Sequence, residues 1–172
     1  APNPLKTMAS KDLPREIAKL APGEKALAAR TTAIADGQAA LALVRARAAD
    51  FGVERVGMIG FSAGAFVTAG VAMDPGAGAA PLAFAACIYG GETGGAPVPA
   101  DAPPLFVLSA GDDRMLVRVV EGLYRDWVEA DRIAELHVFT RGGHGFGTTP
   151  QDKPVDRWVE LFEAWQADMG LS

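Results

Sequence analysis

The sequence holds little sulfur and little imidazole: Cys87 is the single cysteine, and there are two histidines. One cysteine excludes an intrachain disulfide. One thiol and two imidazoles, far apart in sequence, do not make a zinc site, so neither a metal nor a cofactor is expected. Cys87 lies in the apolar run "AFAACIYG" and reads as a small buried residue rather than a reactive thiol. Basic residues are also in deficit. Sixteen Lys and Arg against 21 Asp and Glu leave a net charge of -5. The densest basic pair is Arg45 and Arg47, which disfavours nucleic acid as a partner because phosphate contacts need clustered cations. No apolar run approaches the roughly 18 residues of a membrane span. No basic start followed by an apolar stretch marks a signal peptide. The chain begins at Ala1 rather than Met, which leaves processing or truncation and cellular address open.

What remains is 172 residues, 49% hydrophobic and 22% charged, the composition of one ordinary globular domain with a sizeable core. Residues 1–30 are punctuated by Pro2, Pro4, Pro14, Pro22 and Gly23 and read as an irregular segment. From Thr32 the pattern is helical, with Ile34, Leu41, Val44, Ala48 and Phe51 on one stripe and Gly52 as a stop. "RVGMIG" (55–60) reads as a buried strand, and "SAGAFVTAGVAM" as a helix of small residues ended by Asp74-Pro75-Gly76. "LAFAACIY" and "PLFVLSA" are further buried strands, and "ELHVFT" (135–140) is a fourth. Leu116, Val120, Leu123, Trp127 and Ala130 share a helical stripe, as do Trp158, Phe162, Trp165 and Met169. Alternation of short apolar strands with helices predicts a single α/β domain over 1–172, its mostly parallel sheet covered on both faces. The short connection at 74–81 has no helix, so one crossover is expected to be irregular.

Ligands of an open parallel sheet collect at the carboxyl ends of its strands. Three such ends carry chemistry: Ser62 after the first strand, Gly111-Asp112-Asp113-Arg114 after the third, and Arg141-Gly142-Gly143-His144-Gly145-Phe146-Gly147 after the fourth. A serine hydroxyl needs an adjacent base to become a nucleophile. An imidazole, here that of His144, is the ordinary side-chain base near neutral pH, and a carboxylate is needed to hold its tautomer. Gly60 and Gly64 flank Ser62 as G-x-S-x-G. This is expected at a strand-to-helix elbow where side chains would clash, with the Ala63 N–H aimed at a developing oxyanion. The bland alternative is a pair of packing glycines. With 20 glycines in the chain, chance gives roughly 0.05 matches to the motif. The later carboxylate and histidine weigh against that alternative. His137, alternating with apolar residues, reads as a surface histidine. The tryptophans read as core, and Glu92 and Thr93 as part of a flexible loop. Phe61, Tyr89, Met115 and Phe146 flank the loops, where lining a substrate pocket and plain packing explain them equally.

"RVGMIGFSAGA", "APPLFVLSAGDDRM" and "RGGHGFG", with the preceding "DGQAALALVRARAADFGV", resemble the α/β-hydrolase esterases related to acetyl esterases and xylan-deacetylating enzymes. More distant prolyl oligopeptidase-like peptidases share the serine and histidine motifs. The resemblance runs from about Asp36 to the C-terminus, the C-terminal two-thirds of that fold. It implies Ser62 as nucleophile, His144 as base and Asp113, the second acid of the pair, as third member. Asp112 is then left to cap the loop or face water. It implies hydrolysis of small-molecule esters with short acyl groups, acetylated carbohydrate among the candidates. Arg114 stands where the family has proline.

The family also carries a strand and a His-Gly-Gly loop upstream of the serine, which supplies the second oxyanion donor. Nothing in residues 1–35 matches it. The strand at 55–60 would then be a sheet edge, and an apolar edge invites pairing. Self-association, or association with a missing N-terminal segment, is therefore expected. The alternative function is a truncated, catalytically weak or inactive hydrolase fragment that binds a ligand or partner.

Overall fold

The computed structural model describes residues 24–171. The expectation of an irregular segment therefore lies, for residues 1–23, outside the described residues. Contacts divide the chain into two units, Ala1–Thr32 and Ala33–Ser172. The division falls within helix α1, Glu24–Ala46. In the first unit, the Thr31 and Thr32 hydroxyls donate to the carbonyls of Leu27 and Ala28 one turn back. The helix thus begins earlier than Thr32, and residues 24–30 are helical rather than irregular. Thr31 and Thr32 satisfy their hydroxyls within the helix, so they do not interrupt it.

The second unit contains a four-stranded, all-parallel sheet in the order β1-β2-β3-β4. The strands are β1 (Met58–Phe61), β2 (Ala85–Ile88), β3 (Leu105–Ala110) and β4 (Ala134–Phe139). Helix α2 (Ala63–Met73) connects β1 to β2, and α3 (Leu116–Glu129) connects β3 to β4. The crossover without a helix is the one from β2 to β3, residues 89–104. The connection at 74–81 only completes the β1–α2–β2 unit. After a 3₁₀ turn at Pro154–Arg157, α4 (Trp158–Asp168) ends the fold.

The burial pattern follows from strand position. Every residue of β2 and β3 is buried, whereas β1 and β4 are edges and only partly covered. Strand residues alternate between faces, and the two cores alternate with them. Leu105 and Val107 of β3 pack with Cys87, Ala65, Val71, Leu123 and Trp127 on the side of α2 and α3. Phe106, Leu108 and Ala110 pack with Ile88, Trp158 and Trp165 on the side of α4. All three tryptophans are core, as their helical spacing predicts. No helix among the described residues is long and apolar enough to cross a membrane. Among the same residues no cluster of three or more His, Cys, Asp or Glu is placed to hold a metal.

Trp127 fastens α3 to the sheet. It is fully buried, and its indole N–H donates to the Pro103 carbonyl at 2.9 Å, just ahead of β3. Trp127→Ala is expected to cost about 3–5 kcal/mol, read as a lower urea midpoint at unchanged slope.

Candidate active site

The carboxyl ends of β1, β3 and β4 converge. At the end of β1 the chain turns into α2 within one residue. Ser62 takes φ 51° and ψ -117°, a backbone region that L-residues seldom occupy and that marks strain held by its surroundings. The Ser62 N–H donates to the Ile88 carbonyl at 2.9 Å, and its own carbonyl accepts from the Ala65 N–H at 3.0 Å.

The two glycines around Ser62 differ in what they do. A Cβ on Gly60 would lie 2.2 Å from the Gly64 carbonyl oxygen and 2.4 Å from the Thr68 hydroxyl. A Cβ on Gly64 would meet nothing within 4 Å. The expected clash at both positions is thus real only at Gly60. It is the backbone of Gly64, not its missing side chain, that Gly60 must approach.

Ser62 Oγ lies 2.8 Å from His144 Nε2. His144 Nδ1 lies 2.7 Å from Asp113 Oδ2. An ionised carboxylate only accepts hydrogen bonds, so Nδ1 carries the proton, and the Nε2 lone pair is left to accept from the serine hydroxyl. Asp113 is 7% exposed and His144 43%. The acid is therefore sheltered while the imidazole stays open to solvent. Asp113 Oδ1 also accepts from the Leu116 N–H at 3.4 Å, at the start of α3. Ala63 opens α2, where no preceding helical carbonyl can take its N–H.

Asp112 faces the other way. Its Oδ1 accepts from the N–H groups of Gly142 at 3.0 Å and Gly143 at 2.8 Å. The Gly143 N–H holds its carboxyl below the usual carboxylate range, with Gly142 and Lys153 acting in the same direction and desolvation opposing them. Asp113, the second acid of the pair, and its neighbour Asp112 thus grip the histidine loop at two different points.

One aromatic ring, Tyr89, packs on the imidazole, and others pack on it in turn. The Tyr89 ring stands edge-on to His144 with centroids 5.0 Å apart, and to Phe146 at 4.6 Å. Phe61 packs at 5.9 Å on both Tyr89 and Trp158. Phe146 is buried in the core beneath α4, whereas Phe61 and Met115 are exposed. Met115 precedes α3, two residues beyond Asp113. Tyr89 also holds a positive φ of 43°, and burial pushes its hydroxyl up against the opposing Gly147 N–H. Cys87 is buried with its thiol pushed up to about 12 and its Sγ against the Ala65 carbonyl, so it is a packing residue. His137 pairs with Glu135 at 2.6 Å on the β4 edge, away from Ser62. The anchors Gln151 and Trp158, which hold the histidine loop at Gly142 and Gly147, were not readable as such. Trp158 shows in sequence only as part of a core stripe.

Gly60→Ala is expected to lower stability by about 1–3 kcal/mol or more, since a backbone carbonyl cannot rotate away. Gly64→Ala should change it by about 1 kcal/mol at most, with stabilisation the expected sign in a helix. Urea unfolding of the two variants side by side measures the contrast.

No protein-family model matches the chain, and no curated protein matches it. Solved structures do. One is an α/β hydrolase enzyme from a deep-sea metagenome library of the Medee basin, with TM-score 0.70, 18% identity, and 79% of this chain and 64% of that one covered. A second is an acetyl ester-xyloside bifunctional hydrolase from Caldicellulosiruptor lactoaceticus, with TM-score 0.69, 20% identity, and coverage of 80% and 66%. A third is a carboxylesterase from Lactobacillus plantarum, with TM-score 0.64, 17% identity, and coverage of 78% and 66%. The chain spans just under two thirds of the length of these three proteins. Strand order, elbow and neighbours agree, and the chain has the α/β-hydrolase fold.

Proposed function

We propose that this chain is a serine hydrolase that cleaves short-chain acyl esters, with acetylated carbohydrate as a substrate class. The observation that carries this reading is the continuous relay from Ser62 Oγ to His144 Nε2 and from His144 Nδ1 to Asp113 Oδ2. Its tautomer is the one a general base needs. The solved neighbours add support for the acyl class. One is described as acting on acetyl esters, and an esterase from Thermogutta terrifontis was solved with propionate or butyrate bound.

In this reading, Ser62 Oγ attacks the ester carbonyl carbon while its proton passes to His144 Nε2. The Asp113 carboxylate stabilises the imidazolium. The Ala63 N–H donates to the carbonyl oxygen as it becomes anionic. Collapse of the tetrahedral adduct breaks the bond to the alcohol oxygen, which leaves with the Nε2 proton. A water then gives its proton to His144 Nε2 and attacks the acyl carbon; collapse breaks the bond to Ser62 Oγ, which takes that proton back from Nε2, and releases the acid. Phe61 and Tyr89 are the proposed walls around the reacting ester, with Met115 on the rim and Phe146 backing Tyr89. Ala63 supplies one oxyanion donor. Loss of one such donor typically costs about 10²–10³ in rate.

Purified chain is expected to hydrolyse p-nitrophenyl acetate and to be labelled by a fluorophosphonate probe. Ser62→Ala should abolish both, and His144→Ala should reduce turnover at least about 10³-fold. Full activity in Ser62→Ala would overturn the mechanism.

The position of β1 favours a second reading alongside the first. Among the described residues it is an edge of the sheet, and it leaves Ile59 40% and Phe61 37% exposed. An edge of this kind offers unpaired N–H and C=O groups beside apolar side chains. The chain is then also a partner-binding module, with a second copy pairing along β1. Light scattering should show a species heavier than one chain, and Ile59→Lys should return it to the monomer. A monodisperse monomer at all concentrations refutes the pairing.

A further inference from the structure

The loop that carries His144 is built from the least constrained residues in the chain. Gly142, Gly143, Gly145 and Gly147 surround the histidine, and the last three hold φ of 69°, 77° and 52°. Such positions suit glycine, but glycine also loses the most conformational freedom on folding. Left to itself this loop would spread over many conformations. The hydrogen bond from His144 to Asp113 fixes the ring but not the backbone that delivers it.

Three side chains outside the proposed catalytic trio hold that backbone. Asp112 Oδ1 takes the N–H groups of both residues immediately before His144. Gln151 Nε2 donates to the Gly142 carbonyl at 3.4 Å, and its Oε1 is held by Lys153 Nζ at 2.6 Å. On the far side of the histidine, the Trp158 indole N–H donates to the Gly147 carbonyl at 2.7 Å. Of these, Asp112 alone makes two bonds to the loop backbone, and both are charge-assisted, the stronger class. It also joins two strand ends: it follows β3 in the chain, and the loop it grips follows β4.

We propose that Asp112 is a positioning residue for the hydrolase reaction, clamping the Gly142–Gly143 backbone so that His144 meets Ser62 and Asp113 together. Neighbouring carboxylates thus divide the work on one histidine: Asp113 orients the ring and Asp112 fixes the backbone that carries it. The clamp acts through geometry rather than through charge at the reacting atoms, because Asp112 bonds to amides and touches neither the imidazole nor the serine. The inference rests on the serine-hydrolase reading above.

Two substitutions separate geometry from charge. Asp112→Asn keeps an Oδ1 acceptor for the two amides and removes the charge. Asp112→Ala removes the acceptor. With p-nitrophenyl acetate, Asp112→Ala should lower kcat about 10²-fold, the cost of a misplaced catalytic group, with KM changed less than about threefold. Asp112→Asn should stay within about fivefold of the parent in kcat, since its amide oxygen still accepts both bonds. A second readout needs no turnover. The chain has only two histidines, so the imidazole resonances of His144 and His137 are separable by nuclear magnetic resonance, with His137→Gln fixing the assignment. The His144 Nδ1 proton, hydrogen-bonded to Asp113, should be visible in the parent and in Asp112→Asn and lost to exchange in Asp112→Ala. An Asp112→Ala variant that keeps this proton and parental kcat would overturn the clamp. So would an Asp112→Asn variant as damaged as Asp112→Ala, which would point to charge instead. If the parent chain turns over no ester but its His144 proton still depends on Asp112, the hydrolase reading fails and the clamp stands.

Discussion

The approach of Gly60 to the backbone of Gly64 is the constraint on which the site depends. With a Cβ of Gly60 destined to lie 2.2 Å from the Gly64 carbonyl oxygen, strand β1 and helix α2 touch backbone to backbone. That contact leaves one residue to reverse the chain, and Ser62 carries the resulting strain at φ 51°. The strain is supported by the Ile88 carbonyl on β2, which takes the Ser62 N–H. A side chain on Gly60 would push α2 off the sheet, and both the direction of Ser62 Oγ and the position of the Ala63 N–H would go with it.

Around that elbow the molecule spends rigidity unevenly. The two central strands are buried along their whole length and fix the positions of Ile88, Leu108 and Ala110. Groups that must stay accessible sit on short loops just beyond those strands, as in other open parallel sheets. A loop on a buried strand is precise only near its root. Asp113 is near its root and is also tied to the first turn of α3. His144 is five residues past β4 in a glycine-rich stretch, and it is held instead by side chains from other segments: Asp112, Gln151 and Trp158.

The chain covers under two thirds of the length of its solved neighbours, and β1 lies at the margin of its sheet. In this fold the elbow follows directly on that strand. The proposed nucleophile is therefore rooted at an edge, where any added strand would pack beside it. Phe61, one residue before Ser62, is partly exposed there and bridges Tyr89 and Trp158. Whatever pairs with β1 would also border the proposed ester site, which links the two readings of function physically.

Much of this was legible in the residues. Apolar runs of four to six residues separated by helical stripes specify a covered parallel sheet, because both faces of such strands must be buried. Ser62, Asp113 and His144 were legible as candidates because each stands just beyond a strand, and chain connectivity alone carries strand ends to one edge of a parallel sheet. The helical state of residues 24–30 was not legible: Pro22 and Gly23 just ahead of them read as punctuation, and the segment carries no apolar stripe to reveal the helix that the Thr31 and Thr32 hydroxyls bond back into. The different roles of Gly60 and Gly64 were not legible either, since both are simply glycine until a neighbour's distance is known. Least legible was the division of labour between Asp112 and Asp113. Adjacent acids in sequence are equivalent until the chain turns and one carboxylate meets an imidazole while the other meets two amides. Local pattern determines which residues sit at strand ends, because periodicity and turn chemistry act over a few residues. Which atoms meet there is decided by segments about 30 and 80 residues apart, and only tertiary packing sets distances over that span.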